Sequence, residues 1–118
     1  MELAKLFIDG AWCDGSSGRS SKVIDPATGE TFASVTHAAP ADLDRALSAA
    51  RRAFLEWRLV SPYERSKLLR KAANLLRDRA PDIAALMTRE QGKPLPEARM
   101  EVLAGADEIG RASCRERV

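Results

Sequence analysis

The sequence predicts an α+β chain, with N-terminal β-hairpins first and about four helices behind them. Two observations carry this. The hydrophobic period changes from two to alternating three- and four-residue steps at Pro40. The turn chemistry changes with it, from Asp-Gly and Asp-Pro pairs to helix-capping signals. A third observation bounds the size: 118 residues leave room for one domain, whose apolar residues must be well placed.

Leu6-Phe7-Ile8 is a short apolar strand, and Asp9-Gly10 suits the positive φ angles of a tight hairpin turn. Ala11-Trp12-Cys13 is the returning strand. Asp14 to Ser21 is rich in Gly and Ser, lacks periodicity and reads as a loop. Lys22-Val23-Ile24 starts a second hairpin, turned by Asp25-Pro26 and Gly29 and completed by Thr31 to Thr36.

Pro40 fits the first turn of a helix, with Asp42 and Asp44 near its positive end. Leu43, Leu47, Ala50, Phe54 and Trp57 form its apolar stripe. Ser61 and Glu64 make an S-x-x-E start for a second helix, with Pro62 at the first helical position. Leu68, Leu69, Ala72, Leu75 and Leu76 are its expected buried face. Pro81 ends that helix or turns the chain into a third, which carries Ile83, Leu86 and Met87. Gln91-Gly92-Lys93-Pro94 closes the third helix, and Pro96 opens a fourth with Ala98, Val102, Leu103 and Ala106 on one side. There is no internal repeat and no low-complexity tract.

A content of 45% hydrophobic and 31% charged residues argues for a globular segment. Nineteen basic against 17 acidic residues give a net charge of +2, and no clustered basic face on which nucleic acid would bind. Cys13, Cys114 and the single His37 do not make a metal set, and nothing supports a disulfide. The start lacks the apolar core of a signal peptide, and no apolar run spans a membrane, so a cytoplasmic location is expected.

Several segments stand in a telling order: Phe7-Ile8-Asp9-Gly10-Ala11-Trp12, Ile24-Asp25-Pro26-Ala27-Thr28-Gly29-Glu30, and Ala53-Phe54 with Trp57. Glu64-Arg65 with Leu68-Leu69 follows, then Glu90-Gln91-Gly92-Lys93-Pro94-Leu95 with Glu97-Ala98-Arg99. In that order and spacing, over roughly residues 5 to 108, the chain resembles NAD(P)-dependent aldehyde dehydrogenases, and among them the succinate-semialdehyde dehydrogenase-like branch. Asp25, where the family usually has Asn, and Pro96, where a helix former is common, are mild departures.

The resemblance implies that residues 1–108 are the N-terminal portion of a cofactor-binding domain, within the α/β fold of the complete enzyme. Members oxidise an aldehyde to a carboxylic acid with NAD or NADP. A thiolate attacks the carbonyl, an amide donor holds the oxyanion, and a glutamate activates the hydrolytic water. In the family those groups lie beyond the position of Val118, as do the strands that hold the dinucleotide. The resemblance therefore implies no catalytic, cofactor-binding or metal residue in these 118 residues. It also implies no cofactor bound to this polypeptide alone, and no activity from it. The expected partners are the remainder of its own polypeptide and, in the complete enzyme, further copies of itself. Apart from that remainder, the apolar stripes lack their partner, and the polypeptide is expected to be marginally stable and prone to aggregate.

Individual residues fit this picture. The context Ala112-Ser113-Cys114-Arg115 does not match the family's nucleophile motif, and it comes far too early. Cys13 reads as a small packing residue of a strand, and His37 as a surface or capping group. Gly15 and Gly18 only faintly imitate a dinucleotide loop, since no helix follows them at once. In some relatives the acidic position equivalent to Glu90 lines a monovalent-cation site, together with carbonyls near Val23 and Ile24. Its completing ligand would come from the absent part, so it is not counted here. Lys93 reads as a solvent-exposed cation at a helix end.

The resemblance stops near residue 109. Gly110 disfavours a helix interior by about 1 kcal/mol, and the residues after it carry no evident apolar face. Ile109 to Val118 also reads as the translation of ATC GGA AGA GCG TCG TGT AGG GAA AGA GTG, a string similar to a sequencing-library adapter. Residues 109–118 are accordingly expected to be a non-native tail. Two other readings remain open: a stand-alone helical interaction domain that uses its two leucine-rich stripes, and a non-catalytic pseudogene product.

Overall fold

A computed structural model describes residues 2–115, with side chains for 3–113. The chain divides into two compact units, Met1–Leu59 and Val60–Val118.

The first unit holds β1 (Glu2–Ala4), β2 (Leu6–Ile8), β3 (Ala11–Cys13), β4 (Ser20–Ile24), β5 (Thr31–Thr36) and α1 (Pro40–Trp57). The β2–β3 hairpin forms as expected. Asp9 and Gly10 take φ values of 55° and 78°, the pair of left-handed residues that a two-residue turn needs to match strand twist. Phe7 faces Trp12 across the ladder, and their tilted rings lie 4.9 Å apart, a cross-strand pair that holds the register. The β4–β5 hairpin also forms. Its turn is closed by Asp25 N–H to the Glu30 carbonyl at 2.9 Å and Gly29 N–H to the Asp25 carbonyl at 2.8 Å.

β1 was not expected. It pairs parallel with β5, giving a sheet in the order β1-β5-β4. Three residues are too few to show a period, and the partner strand lies beyond an intervening hairpin, so no local pattern announces it.

α1 starts at Pro40 after Ala39. Its inward residues are Asp42 and Ala49, whereas Leu43, Leu47, Ala50, Phe54 and Trp57 are all exposed. The stripe exists at the expected spacing, but it is not the face that α1 buries.

The second unit is α2 (Pro62–Asp78), α3 (Ala80–Gln91) and α4 (Leu95–Arg115). The Ser61 hydroxyl accepts from Glu64 N–H at 3.2 Å, which fixes the start of α2. Gly92 ends α3 with a left-handed φ of 73° and donates its N–H to the Thr88 carbonyl. α4 packs against both α2 and α3. The buried residues are small: Ser66 and Ala73 from α2, Ala80 and Ala84 from α3, and Ala98, Val102 and Ala106 from α4. On α2 the expected face turns by one position. Leu69 and Leu76 join Ser66 and Ala73 on the inner side, while Leu68, Ala72 and Leu75 stay exposed. Short side chains at 66 and 73 open the groove that admits α4, and the apolar stripe follows that groove.

α4 does not break at Gly110; it continues to Arg115. A glycine penalty of about 1 kcal/mol is small for a long helix anchored on two neighbours. The buried line Ala98, Val102, Ala106 extends to Ser113, whose hydroxyl donates to the Gly110 carbonyl at 2.7 Å. Small residues, rather than large apolar ones, make the face that the sequence did not show. Residues 116–118 of the expected tail lie outside the described residues. The fold class is α+β, as the sequence predicts, and no helix among the described residues is long and apolar enough to cross a membrane.

Candidate functional site

A helix leaves its first N–H groups without helical partners, and α1 meets that need with Asp42 at its third position. One carboxylate oxygen, Oδ2, accepts from Ala39 N–H at 2.8 Å and from both the N–H and the hydroxyl of Ser16 at 2.8 Å. The other, Oδ1, accepts from Arg45 Nη2 at 2.7 Å. The side chain is 1% exposed. The Ala39 amide, then the hydroxyl and amide of Ser16, hold its pKa far below the ordinary carboxylate range; burial opposes them and Arg45 adds to them. A carboxylate so fully engaged accepts protons poorly near neutral pH. Its work is to fasten the 14–19 loop to α1.

That loop is closely fitted. Gly15 N–H donates to Thr36 Oγ1 at 3.2 Å, and the Ser17 hydroxyl donates to the His37 carbonyl at 2.7 Å. A Cβ on Gly15 would lie 2.0 Å from the His37 oxygen. Gly18 N–H goes to the Gly15 carbonyl and Arg19 N–H to Ser17 Oγ. A phosphate cradle needs several unspent N–H groups converging on one point. Here the amides of residues 15, 16, 18 and 19 are committed within the protein, so the loop does not fit the pyrophosphate of a dinucleotide.

His37 Nε2 lies 2.6 Å from Ser21 Oγ, tying the residue that follows β5 to β4. Cys13 is half-buried and lines an open groove of about 490 Å³ with Ile8, Asp9, Arg45, Ser48 and Arg52. The charged neighbour Arg45 comes from α1 and could not be seen in the sequence around Cys13. A guanidinium does not take a proton from a thiol. Arg45 is committed to Asp42, and Arg52 pairs with Asp9 at 2.8 Å. Lys93, expected to be a solvent-exposed cation at a helix end, is half-buried and pairs with Glu101. Glu90 is exposed in the last turn of α3. The side chain of Cys114 lies outside the described residues. Among the described residues, no three His, Cys, Asp or Glu side chains are grouped to hold a metal.

A model of the aldehyde dehydrogenase family matches residues 12–114. The chain belongs to that family. The aldehyde dehydrogenase match takes in the Asp42 clasp and the whole second unit up to Cys114, past the limit of 108 drawn from motifs. Among solved structures, the chain is 36% identical to an aldehyde dehydrogenase from Brucella melitensis biovar abortus 2308, over 97% of this chain and 24% of that one, with a TM-score of 0.94. It is 35% identical to an NADP dependent enzyme from E. coli, over 98% and 24%, with a TM-score of 0.94. It is 34% identical to succinate-semialdehyde dehydrogenase from Burkholderia pseudomallei, over 97% and 24%, with a TM-score of 0.93. This aldehyde dehydrogenase chain thus spans about a quarter of the length of those structures, 24% in each case.

The Asp42 clasp is what sequence reasoning missed. The available signal was a Pro-x-Asp helix start preceded by a Ser- and Gly-rich loop, and it located the acid without naming its partner.

Proposed function

We propose that this chain is the opening quarter of an NAD(P)-dependent enzyme that oxidises an aldehyde, of the succinate-semialdehyde type, to the carboxylic acid. The observation that carries this is the family match across residues 12–114. The likeness to the Burkholderia pseudomallei succinate-semialdehyde dehydrogenase supports the substrate type. The nicotinamide cofactor supplies the hydride acceptor when bound. What these residues contribute is scaffold: the clasped loop, the hairpins and the small-residue helix bundle. The 118-residue polypeptide alone binds no dinucleotide and is inactive. Support for this comes from the spent amides of the glycine loop and from Asp42, which is engaged at both oxygens.

The complete enzyme is cytoplasmic and homo-oligomeric in this proposal, and its first partner is the remainder of its own polypeptide. Residues 109–118 are adapter-derived; codons other than the adapter's at those positions would dismiss that. The activity is tested by reading this chain's own gene past the codon for Glu108 and assaying the complete product. It should oxidise succinate semialdehyde with NAD⁺ or NADP⁺, and a soluble complete product without that activity would count against the proposal.

A further inference from the structure

Asp-Gly occurs twice in the chain, at Asp9-Gly10 and at Asp14-Gly15. Glycine leaves its amide nitrogen unshielded by a Cβ, so that nitrogen can reach the carboxyl carbon of the aspartate before it. We propose that Asp9 is a site of self-modification to isoaspartate, and that the fold protects Asp14 from the same reaction. The Gly10 nitrogen attacks Asp9 Cγ in the protonated form of the acid. A C–N bond forms, the amide proton and the carboxyl hydroxyl leave as water, and a succinimide ring results. Water then opens the ring. Where the bond from the nitrogen to the original peptide carbonyl breaks, the chain runs on through Cβ and Cγ, and a free α-carboxylate remains. One water is lost and one regained, so no other reactant is needed.

Ring closure requires the backbone to turn about the aspartate and the glycine nitrogen to give up its proton. The two sites differ in what holds them. Asp9 and Gly10 are both exposed, and they lie outside the β2–β3 ladder, whose pairs are Leu6–Cys13, Phe7–Trp12 and Ile8–Ala11. A Cβ placed on Gly10 would meet nothing within 4 Å. The hairpin is a separate two-stranded sheet, which opens at small cost. In the ion pair of Asp9 with Arg52 both side chains are more than half exposed, so it restrains the carboxylate only weakly.

Gly15, by contrast, is buried. Its N–H donates to Thr36 Oγ1 at 3.2 Å, and a Cβ there would lie 2.0 Å from the His37 carbonyl oxygen. Ser16, next in the chain, is held by Asp42. Freeing the Gly15 nitrogen therefore means undoing contacts that reach 21 and 26 positions away. At Asp9 the product has a structural consequence. An extra backbone carbon in a two-residue turn breaks the register that sets Phe7 against Trp12.

The test ages the 118-residue chain at body temperature and neutral pH, in buffer and in concentrated urea. Both sites are mapped by digestion with an endoproteinase that cuts before aspartate but not before isoaspartate. Heavy-oxygen water marks the succinimide route, because ring opening inserts an oxygen from solvent. Urea gives the intrinsic difference between the two sequences. The ratio of Asp9 to Asp14 modification should be at least about tenfold higher in buffer than in urea. Thr36→Val removes the acceptor of Gly15 N–H and should raise modification at Asp14 severalfold, with Asp9 unchanged. An Asp9 that stays intact in buffer, or equal ratios in buffer and urea, would overturn the proposal. So would modified Asp9 peptide without heavy oxygen, or no rise at Asp14 in Thr36→Val.

Discussion

At Gly15 a single methyl group is the relevant quantity. Its Cβ would lie 2.0 Å from a backbone oxygen, whereas one on Gly18 would meet nothing within 4 Å. Gly15→Ala should therefore destabilise the chain by about 2 kcal/mol or more in urea unfolding, because backbone must move. Gly18→Ala should cost only about 1 kcal/mol, since its price is the left-handed φ of 64° alone. Equal effects would mean that the loop is not pressed against His37. Asp42 carries the pH dependence. Its folded pKa is depressed, so its contribution is complete above the ordinary carboxylate value near pH 4 and is lost as pH falls below it. The unfolding midpoint of the parent should decline between about pH 5 and pH 3, and that of Asp42→Asn should be lower at neutral pH and flatter in that range. The acid at a helix start was legible in the sequence. Its grip on Ser16, 26 positions away, was not, because no local rule links a loop residue to a helix cap at that distance.

At the scale of elements, local chemistry was readable and non-local choice was not. The Asp9-Gly10 turn, the Ser61 cap and the Gly92 stop are each fixed by a few adjacent residues, and each formed where expected. The inner face of α2 was misjudged because Leu68-Leu69 and Leu75-Leu76 offer two neighbouring stripes of equal hydrophobicity. Ser66 and Ala73 decide between them by leaving room for α4. β1 depends on a parallel partner across a hairpin, which no window of sequence contains. The persistence of α4 has a direct check. Added Cβ atoms at Gly105 and Gly110 would sit 3.9 Å from Leu76 and 3.8 Å from Arg77, ordinary contact distances. Gly105→Ala and Gly110→Ala should each stabilise the chain by about 0.5–1 kcal/mol. A loss of stability at Gly110→Ala would show that the helix does not run through that residue.

For the whole molecule, the order of short motifs from Phe7 to Arg99 led to the family that the match over residues 12–114 establishes. The fold class followed from the change of period at Pro40. What the sequence could not show is how little of its apolar surface the chain uses. Among the described residues the buried hydrophobic ones are mostly alanines, while leucines and phenylalanine on α1 are exposed. Under the proposed function, such a chain is one component of a longer enzyme. Among the described residues Asp42 holds a loop, the loop amides donate to Thr36, Asp42, Ser17 and the Gly15 carbonyl, and Arg45 and Arg52 pair with Asp42 and Asp9. The most direct test of that account is NADH or NADPH formation by the purified 118-residue chain, with succinate semialdehyde and each nicotinamide cofactor in excess. The account predicts no formation above the protein-free rate. Saturable turnover that scales with protein concentration would contradict it.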